Sequence, residues 1–358
     1  MNTYDRNMQD IQKKTHPSLL FQDGWIGKNH SKNRIVRSAT NDHLCNIDGR
    51  ISDEQIALYD NLAKNNVGII ITGHFAVDEQ YKTAINQPLL SDDSYIVSAK
   101  RLSDQVHRYN CLIYGQISQG GINAYDKKYD INTVEAEKLQ KTISQFAEAA
   151  YRLKSAGYDG VQLHLAHRYL LANLLDNSRN RRSDKYGGTK ENRFRLIREI
   201  IQAVKDRCQD FSIIVKMNAT NEMLTSFDED LLYYAKELSA CGIDAIELSG
   251  PDFKEHTKSD RAYYVRQALL IKESIDIPVI LVGGLSDKET MESVLAQGID
   301  YVSCCRPFIC QPDYVTRLLS GQESSPCVSC WSCVKNYKKT YKNCIYLEEN
   351  QKIKEIFG

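Results

Sequence analysis

Polar side chains able to bind or move charge recur along this chain at the ends of short apolar runs. Ser38-Ala39-Thr40-Asn41 ends the first run, Thr72-Gly73-His74 the second, and Gln116 and Gln119 the third. His164 and His167 close the fourth, Lys216 and Asn218 the fifth, Gly283-Gly284 the seventh and Cys305-Arg306 the eighth. A single histidine in such a place is as readily structural as functional, but seven polar ends are hard to explain by packing. Glycines let backbone N–H groups approach an anion and arginine adds a bidentate partner, so Gly283-Gly284 with Cys305-Arg306 has the chemistry of a phosphate site. The plainer alternative is a turn that needs positive φ, followed by a solvated arginine. A second group lies near the end of the chain, at Cys327, Cys330, Cys333 and Cys344. Three close thiols with a distant fourth match the spacing of a tetrahedral thiolate site, zinc or [4Fe–4S]. A reduced cysteine segment packed beside the rest of the protein is the alternative.

The elements that must position these residues alternate in one order. Strands are predicted at residues 35–39, 68–72, 111–117, 160–165, 212–218, 245–249, 278–282 and 301–304, several of them continuous apolar runs, as parallel strands covered on both faces require. Amphipathic stretches lie between them, for example 134–156, 190–207 and 228–240, with Ser52 and Thr189 as N-caps and Gly157, Gly242 and Gly298 where left-handed C-caps belong. Eight strands in strict β–α alternation predict an α/β (β/α)8 TIM barrel. A doubly wound sheet is the runner-up, weakened because no Gly-x-Gly-x-x-Gly follows the first strand. Residues 19–31, with Gly24 and Gly27, are expected to form an N-terminal hairpin that plugs the lower end of the barrel. The expected divisions are an extension at 1–18, the barrel at 19–322 and a short Cys-rich C-terminal tail at 323–358. Should the segment after His164 begin a helix, the i, i+3 spacing would put His164 and His167 on one face.

Composition excludes several classes. The 46 Lys and Arg balance 46 Asp and Glu, so no electrostatic case exists for nucleic acid or an anionic membrane as partner. No apolar run approaches the length of a membrane span, and residues 1–16 lack the apolar core of a secretory signal. The eleven cysteines do not form a disulfide-like framework, which points to a reducing, cytoplasmic setting.

From about Leu19 to Leu319 the chain resembles the Old Yellow Enzyme family of NAD(P)H:flavin oxidoreductases. The resemblance rests on Lys32-Asn33-Arg34-Ile35-Val36-Arg37-Ser38-Ala39-Thr40, Gly68-Ile69-Ile70-Ile71-Thr72-Gly73 and Gly115-Gln116-Ile117-Ser118-Gln119-Gly120-Gly121. Most specific is His164-Leu165-Ala166-His167-Arg168-Tyr169-Leu170, continued by Asn180-Arg181-Arg182-Ser183-Asp184-Lys185-Tyr186-Gly187-Gly188 and Glu191-Asn192-Arg193. It implies bound FMN, with NADH or NADPH as reductant. Ser38, Ala39 and Thr40 would line one edge of the isoalloxazine, with Gly73 or His74 beside it. Gln116 would bond the pyrimidine portion, and Lys216 would stabilise the negative charge of the reduced ring. Gly283, Gly284, Cys305 and Arg306 would hold the phosphate. His164 and His167 would donate to the carbonyl, nitro or carboxyl oxygen of the substrate, and Tyr169 would protonate its α-carbon.

The implied activity is reduction of activated C=C bonds in small α,β-unsaturated compounds. The chain departs from the family pattern at Arg168, which could reach a substrate anion or point to solvent, and at Gln119, where a histidine is usual, with an expected effect on the substrate pocket. The tail is similar to the cluster segment of dienoyl-CoA reductase relatives. This supports the alternative of an FMN subunit in a larger electron-transfer enzyme with an Fe–S cluster. Those relatives carry downstream FAD and nucleotide domains, which are not expected before Gly358. A homo-oligomer is compatible with everything read so far.

Overall fold

A computed structural model describes residues 17–219, 229–335 and 344. The continuous apolar runs form buried parallel strands. We number them with an N-terminal pair, β1 (Gly24–Ile26) and β2 (Asn29–Ser31), followed by β3 (Ile35–Arg37), β4 (Ile69–Ile71), β5 (Phe75–Ala76), β6 (Leu112–Ser118) and β7 (Gly160–Leu165). The series continues with β8 (Ser212–Asn218), β9 (Ala245–Ser249), β10 (Val279–Val282) and β11 (Tyr301–Cys304). Parallel pairing runs β3-β11-β10-β9-β8-β7-β6, and β4 pairs with both β3 and β6, which closes a barrel of eight. The eight are those predicted from the apolar runs. The two-residue β5 is additional and lies along the top of β6, with Phe75 opposite Ile117.

Helices cover the outside between successive strands. The longest, Ala136–Ser155 and Lys190–Cys208, pack on each other and bury Leu139, Phe146 and Leu153 against the sheet side and Phe194, Ile197 and Ile201 beside them. Ser52 accepts a hydrogen bond from the backbone N–H of Gln55 and Thr189 from that of Asn192, as N-caps should. Gly157, Gly242 and Gly298 all have left-handed φ after their helices.

The hairpin β1–β2 closes the lower end as expected. Ile26 is fully buried among Val36, Ile69, Tyr114, Ile214 and Ile280, which fill the barrel interior. Asn29 Nδ2 donates to the Tyr114 hydroxyl and to the carbonyl of Asp159, both at 2.9 Å. With the bottom sealed by apolar packing, the open end is the one where the strand C-termini carry the polar residues. Among the described residues no helix is long and apolar enough to cross a membrane.

Candidate active site

At the C-terminal ends of the strands lies a cavity of about 290 Å³, close to the lower end of the usual range for small-molecule sites. Ser38, Ala39, Thr40, Gln116, His164, His167, Tyr169, Lys216, Gly283, Gly284, Cys305 and Arg306 all line it. Gly73 does not. A Cβ at Gly73 would come within 2.6 Å of the Thr40 carbonyl oxygen, so its role is close backbone packing, and the next residue, His74, supplies the side chain that lines the cavity.

The two histidines meet by a different route from the helix considered above. His164 ends β7, and His167 and Arg168 both adopt left-handed φ, +57° and +64°, in a tight turn before the helix Leu170–Leu175. This turn brings the His164 and His167 rings to 5.2 Å between centroids and the Tyr169 ring to 4.7 Å from His164. Two successive left-handed non-glycine residues are costly, and such strain is found where a side-chain arrangement matters. His167 Nε2 lies 2.9 Å from Ser249 Oγ, while His164 Nδ1 is buried with no protein partner. Burial, with the nearby His167, His74 and Lys216, holds the His164 pKa well below the usual imidazole value. Burial and the Lys216 charge bring that of His167 down to about 3. Both rings are therefore neutral at pH 7, and each can donate one N–H.

Beside them, with Lys216 the register partner of His164, runs a hydrogen-bonded floor. Lys216 Nζ donates to Ser38 Oγ at 2.8 Å, and Gln116 Nε2 donates to Gln162 Oε1 at 2.7 Å. Both lead to Glu247, which is fully buried behind the floor and was not singled out in the sequence. The signal was present. A lone Lys and a lone Glu stand in apolar strands β8 and β9, and they are direct register partners.

At the far end, Gly283 and Gly284 have φ of +134° and +66°, and a Cβ on Gly284 would lie 2.5 Å from the Ala262 backbone N. Only glycine fits this approach. Arg306 Nη1 is buried and has no protein partner, and the guanidinium stacks 3.8 Å from the Trp331 ring. An orphaned guanidinium nitrogen beside a glycine turn fits a phosphate better than a solvated arginine. Cys305 Sγ is 3.0 Å from Thr40 Oγ1.

Of the two alternatives for Arg168 the solvent one holds, and the expectation for Gln119 changes. Arg168 is exposed and stands outside the cavity wall. Gln119 lines a separate groove with Tyr81, Tyr129 and Lys138, and its Oε1 accepts from the backbone N–H of Gly121, so it does not shape the main cavity. Loop aromatics unremarked in the sequence do so instead: the half-buried Phe253, Tyr263 and Trp331 line it.

Cys327, Cys330, Cys333 and Cys344 line one small cavity together with Cys310. Among the described residues, however, no group of three or more His, Cys, Asp or Glu is arranged to hold a metal ion, so the four-cysteine ligand set is not assembled here. Cys310, which the spacing did not nominate, hydrogen-bonds to Cys327 and lowers its pKa.

Comparison with known proteins agrees with this geometry. Residues 19–325 match the model of the NADH:flavin oxidoreductase / NADH oxidase family. An NADH oxidase of Thermoanaerobacter brockii is 31% identical over 352 residues, covering 88% of this chain and 53% of that protein. A cinnamate reductase of Clostridium sporogenes is 26% identical over 367 residues, covering 88% and 55%. The chain thus spans about half the length of these curated relatives. In fold it is similar to an old yellow enzyme homologue from Zymomonas mobilis, with TM-score 0.74 and 21% identity, covering 92% of this chain and 98% of that one.

Proposed function

The chain belongs to the NADH:flavin oxidoreductase / NADH oxidase family, whose cofactor is FMN and whose reductant is NADH or NADPH, and from that premise we propose that it reduces activated C=C bonds of small α,β-unsaturated carbonyl compounds. The observation that carries the reading is the convergence of His164, His167 and Tyr169 on a cavity whose wall also carries the Ser38, Gln116 and Lys216 floor. FMN would lie along that wall, with Ser38, Ala39, Thr40, Gln116 and Lys216 against the ring and Gly283, Gly284, Cys305 and Arg306 at its phosphate. When bound, it supplies hydride chemistry that the protein itself lacks.

The residues of the chain do the rest. His164 and His167, both neutral, each have one N–H to donate to a carbonyl oxygen, which would orient it and stabilise the charge it gains. Tyr169, beside His164, gives a proton to the carbon next to that carbonyl. Phe253 and Trp331, in contact with each other, add apolar surface to the cavity lining. The substrate class draws support from the cinnamate reductase relative, whose name records an unsaturated acid. Residues 19–322 form the catalytic barrel in this reading, with 1–18 as an extension and 323–358 as the cysteine-bearing tail, in a cytoplasmic protein. The test is FMN uptake by the purified chain, followed by anaerobic reduction with NADH or NADPH and reoxidation by an enone or unsaturated acid. A chain that takes up no flavin refutes the reading.

A second reading has its own observation. Arg306, Ile309, Cys327, Ser329 and Trp331 line both the main cavity and the cysteine cavity, so the tail forms a shared wall. This favours an FMN subunit of a larger electron-transfer enzyme. Stoichiometric iron and sulfide, or zinc, in anaerobically purified protein would support it, and metal-free protein with full NAD(P)H turnover would remove it.

A further inference from the structure

Glu247 is fully buried in the middle of β9, and both carboxylate oxygens are engaged. Oε1 accepts from Ser38 Oγ at 2.8 Å and from Ser303 Oγ at 2.7 Å. Oε2 accepts from Gln162 Nε2 at 2.8 Å and lies 3.2 Å from Lys216 Nζ. Gln162 in turn accepts from Gln116, and Lys216 also donates to Ser38. Three cavity-floor residues from three separate strands or strand ends are thus tied, directly or through Gln162, to one carboxylate that does not itself line the cavity. Burying a charge so completely is costly unless it is paired and hydrogen-bonded, and here every partner is present.

The pairing has an electrostatic consequence. Lys216 alone would place one positive charge under the cavity floor, whereas Lys216 with Glu247 places none. In a dry site that difference acts strongly on any ring whose charge changes. We propose that Glu247 sets the reduction potential of the bound flavin by neutralising Lys216 and holding Lys216, Ser38 and Gln116 in place. It acts as a positioning residue, through the groups that face the cavity. The inference rests on FMN occupying this cavity, as proposed above.

A charge cycle tests it. The two-electron midpoint potential of bound FMN and the FMN dissociation constant are measured in the full chain and in Glu247→Gln, Lys216→Met and the double variant. Net floor charge is then zero, +1, −1 and zero respectively. Because reduction leaves negative charge on the ring, Glu247→Gln should raise the potential and Lys216→Met should lower it. The double variant should return to the wild-type value. A purely structural role for Glu247 has no reason to give opposite shifts or a return, and would be read as weaker FMN binding at unchanged potential. Shifts of the same sign, or none from Glu247→Gln, overturn the proposal. If Glu247→Gln is not recovered folded, the double variant must still lie above Lys216→Met, and equality there overturns it. Wild-type protein that takes up no FMN removes the functional reading and this inference together. Flavin-loaded protein without opposite shifts removes this inference alone.

Discussion

Replacing His164 with alanine probes the catalytic wall most simply. His164 is 3% exposed, its Nδ1 has no protein partner, and burial keeps the ring neutral, so it offers its N–H without first having to lose a proton. His167 provides the second donor, its ring 5.2 Å away and steadied by Ser249. Removing one preorganised donor from a site of developing negative charge costs about 2.7–4 kcal/mol, or roughly 10²- to 10³-fold in rate. The assay is stopped-flow reoxidation of anaerobically reduced, FMN-loaded protein by an unsaturated acceptor, with the FMN dissociation constant measured alongside. His164→Ala should slow reoxidation by that factor and leave FMN affinity within about threefold, because the Lys216 and Gln116 side chains are held by Ser38 and Gln162 rather than by His164. A loss below about fivefold would refute the donor role, and parallel loss of FMN would show that His164 serves the cofactor instead.

Other expectations follow from the same geometry. Arg306→Met removes a charge-assisted partner worth about 1.5–3 kcal/mol, so FMN should bind roughly 10- to 150-fold more weakly by fluorescence quenching, and an unchanged constant would remove Arg306 from the phosphate site. Stability should fall as pH drops below about 6.5, because the unfolded chain then protonates His164 and His167 while the folded chain does not, at up to about 1.4 kcal/mol per pH unit for each. His107, whose pKa is raised by its hydrogen bond to Asp159, contributes with the opposite sign, so the urea midpoint of His167→Asn should depend less on pH than that of the wild type. Ile26→Ala should cost about 2–5 kcal/mol in urea unfolding, since Ile26 is fully buried in the plug of the barrel, and a loss under about 1 kcal/mol would mean the hairpin is dispensable.

The barrel was legible because parallel strands buried on both faces read as continuous apolar runs, and all eight appear where Ile69–Ile71 or Ile213–Val215 suggest them. The cavity residues were legible for a related reason. A polar side chain at the end of such a run, such as His164 or Lys216, stands out against its neighbours. Glu247 escaped notice because a single charge inside an apolar strand gains meaning only beside its register partner, and register is a property of the closed sheet. The shared helix face of His164 and His167 depends on a helix that two left-handed residues replace, and neither His167 nor Arg168 has a side chain that announces such a backbone. Phe253, Tyr263 and Trp331 reach the cavity from loops, where no periodicity fixes direction. Gln119 was misplaced because it lies past the end of β6, where the chain has already turned away from the cavity.

The most direct test of the catalytic cavity is anaerobic reoxidation of the NAD(P)H-reduced, FMN-loaded chain by an α,β-unsaturated carbonyl compound, compared with His164→Ala and Tyr169→Phe. Wild-type protein should return to the oxidised flavin spectrum with stoichiometric saturation of the C=C bond. His164→Ala should slow that return, and Tyr169→Phe should slow protonation of the product while leaving acceptor binding intact. Flavin that stays reduced in the presence of every unsaturated acceptor, or reoxidation equally fast in all three proteins, would contradict the assignment of this cavity to C=C reduction.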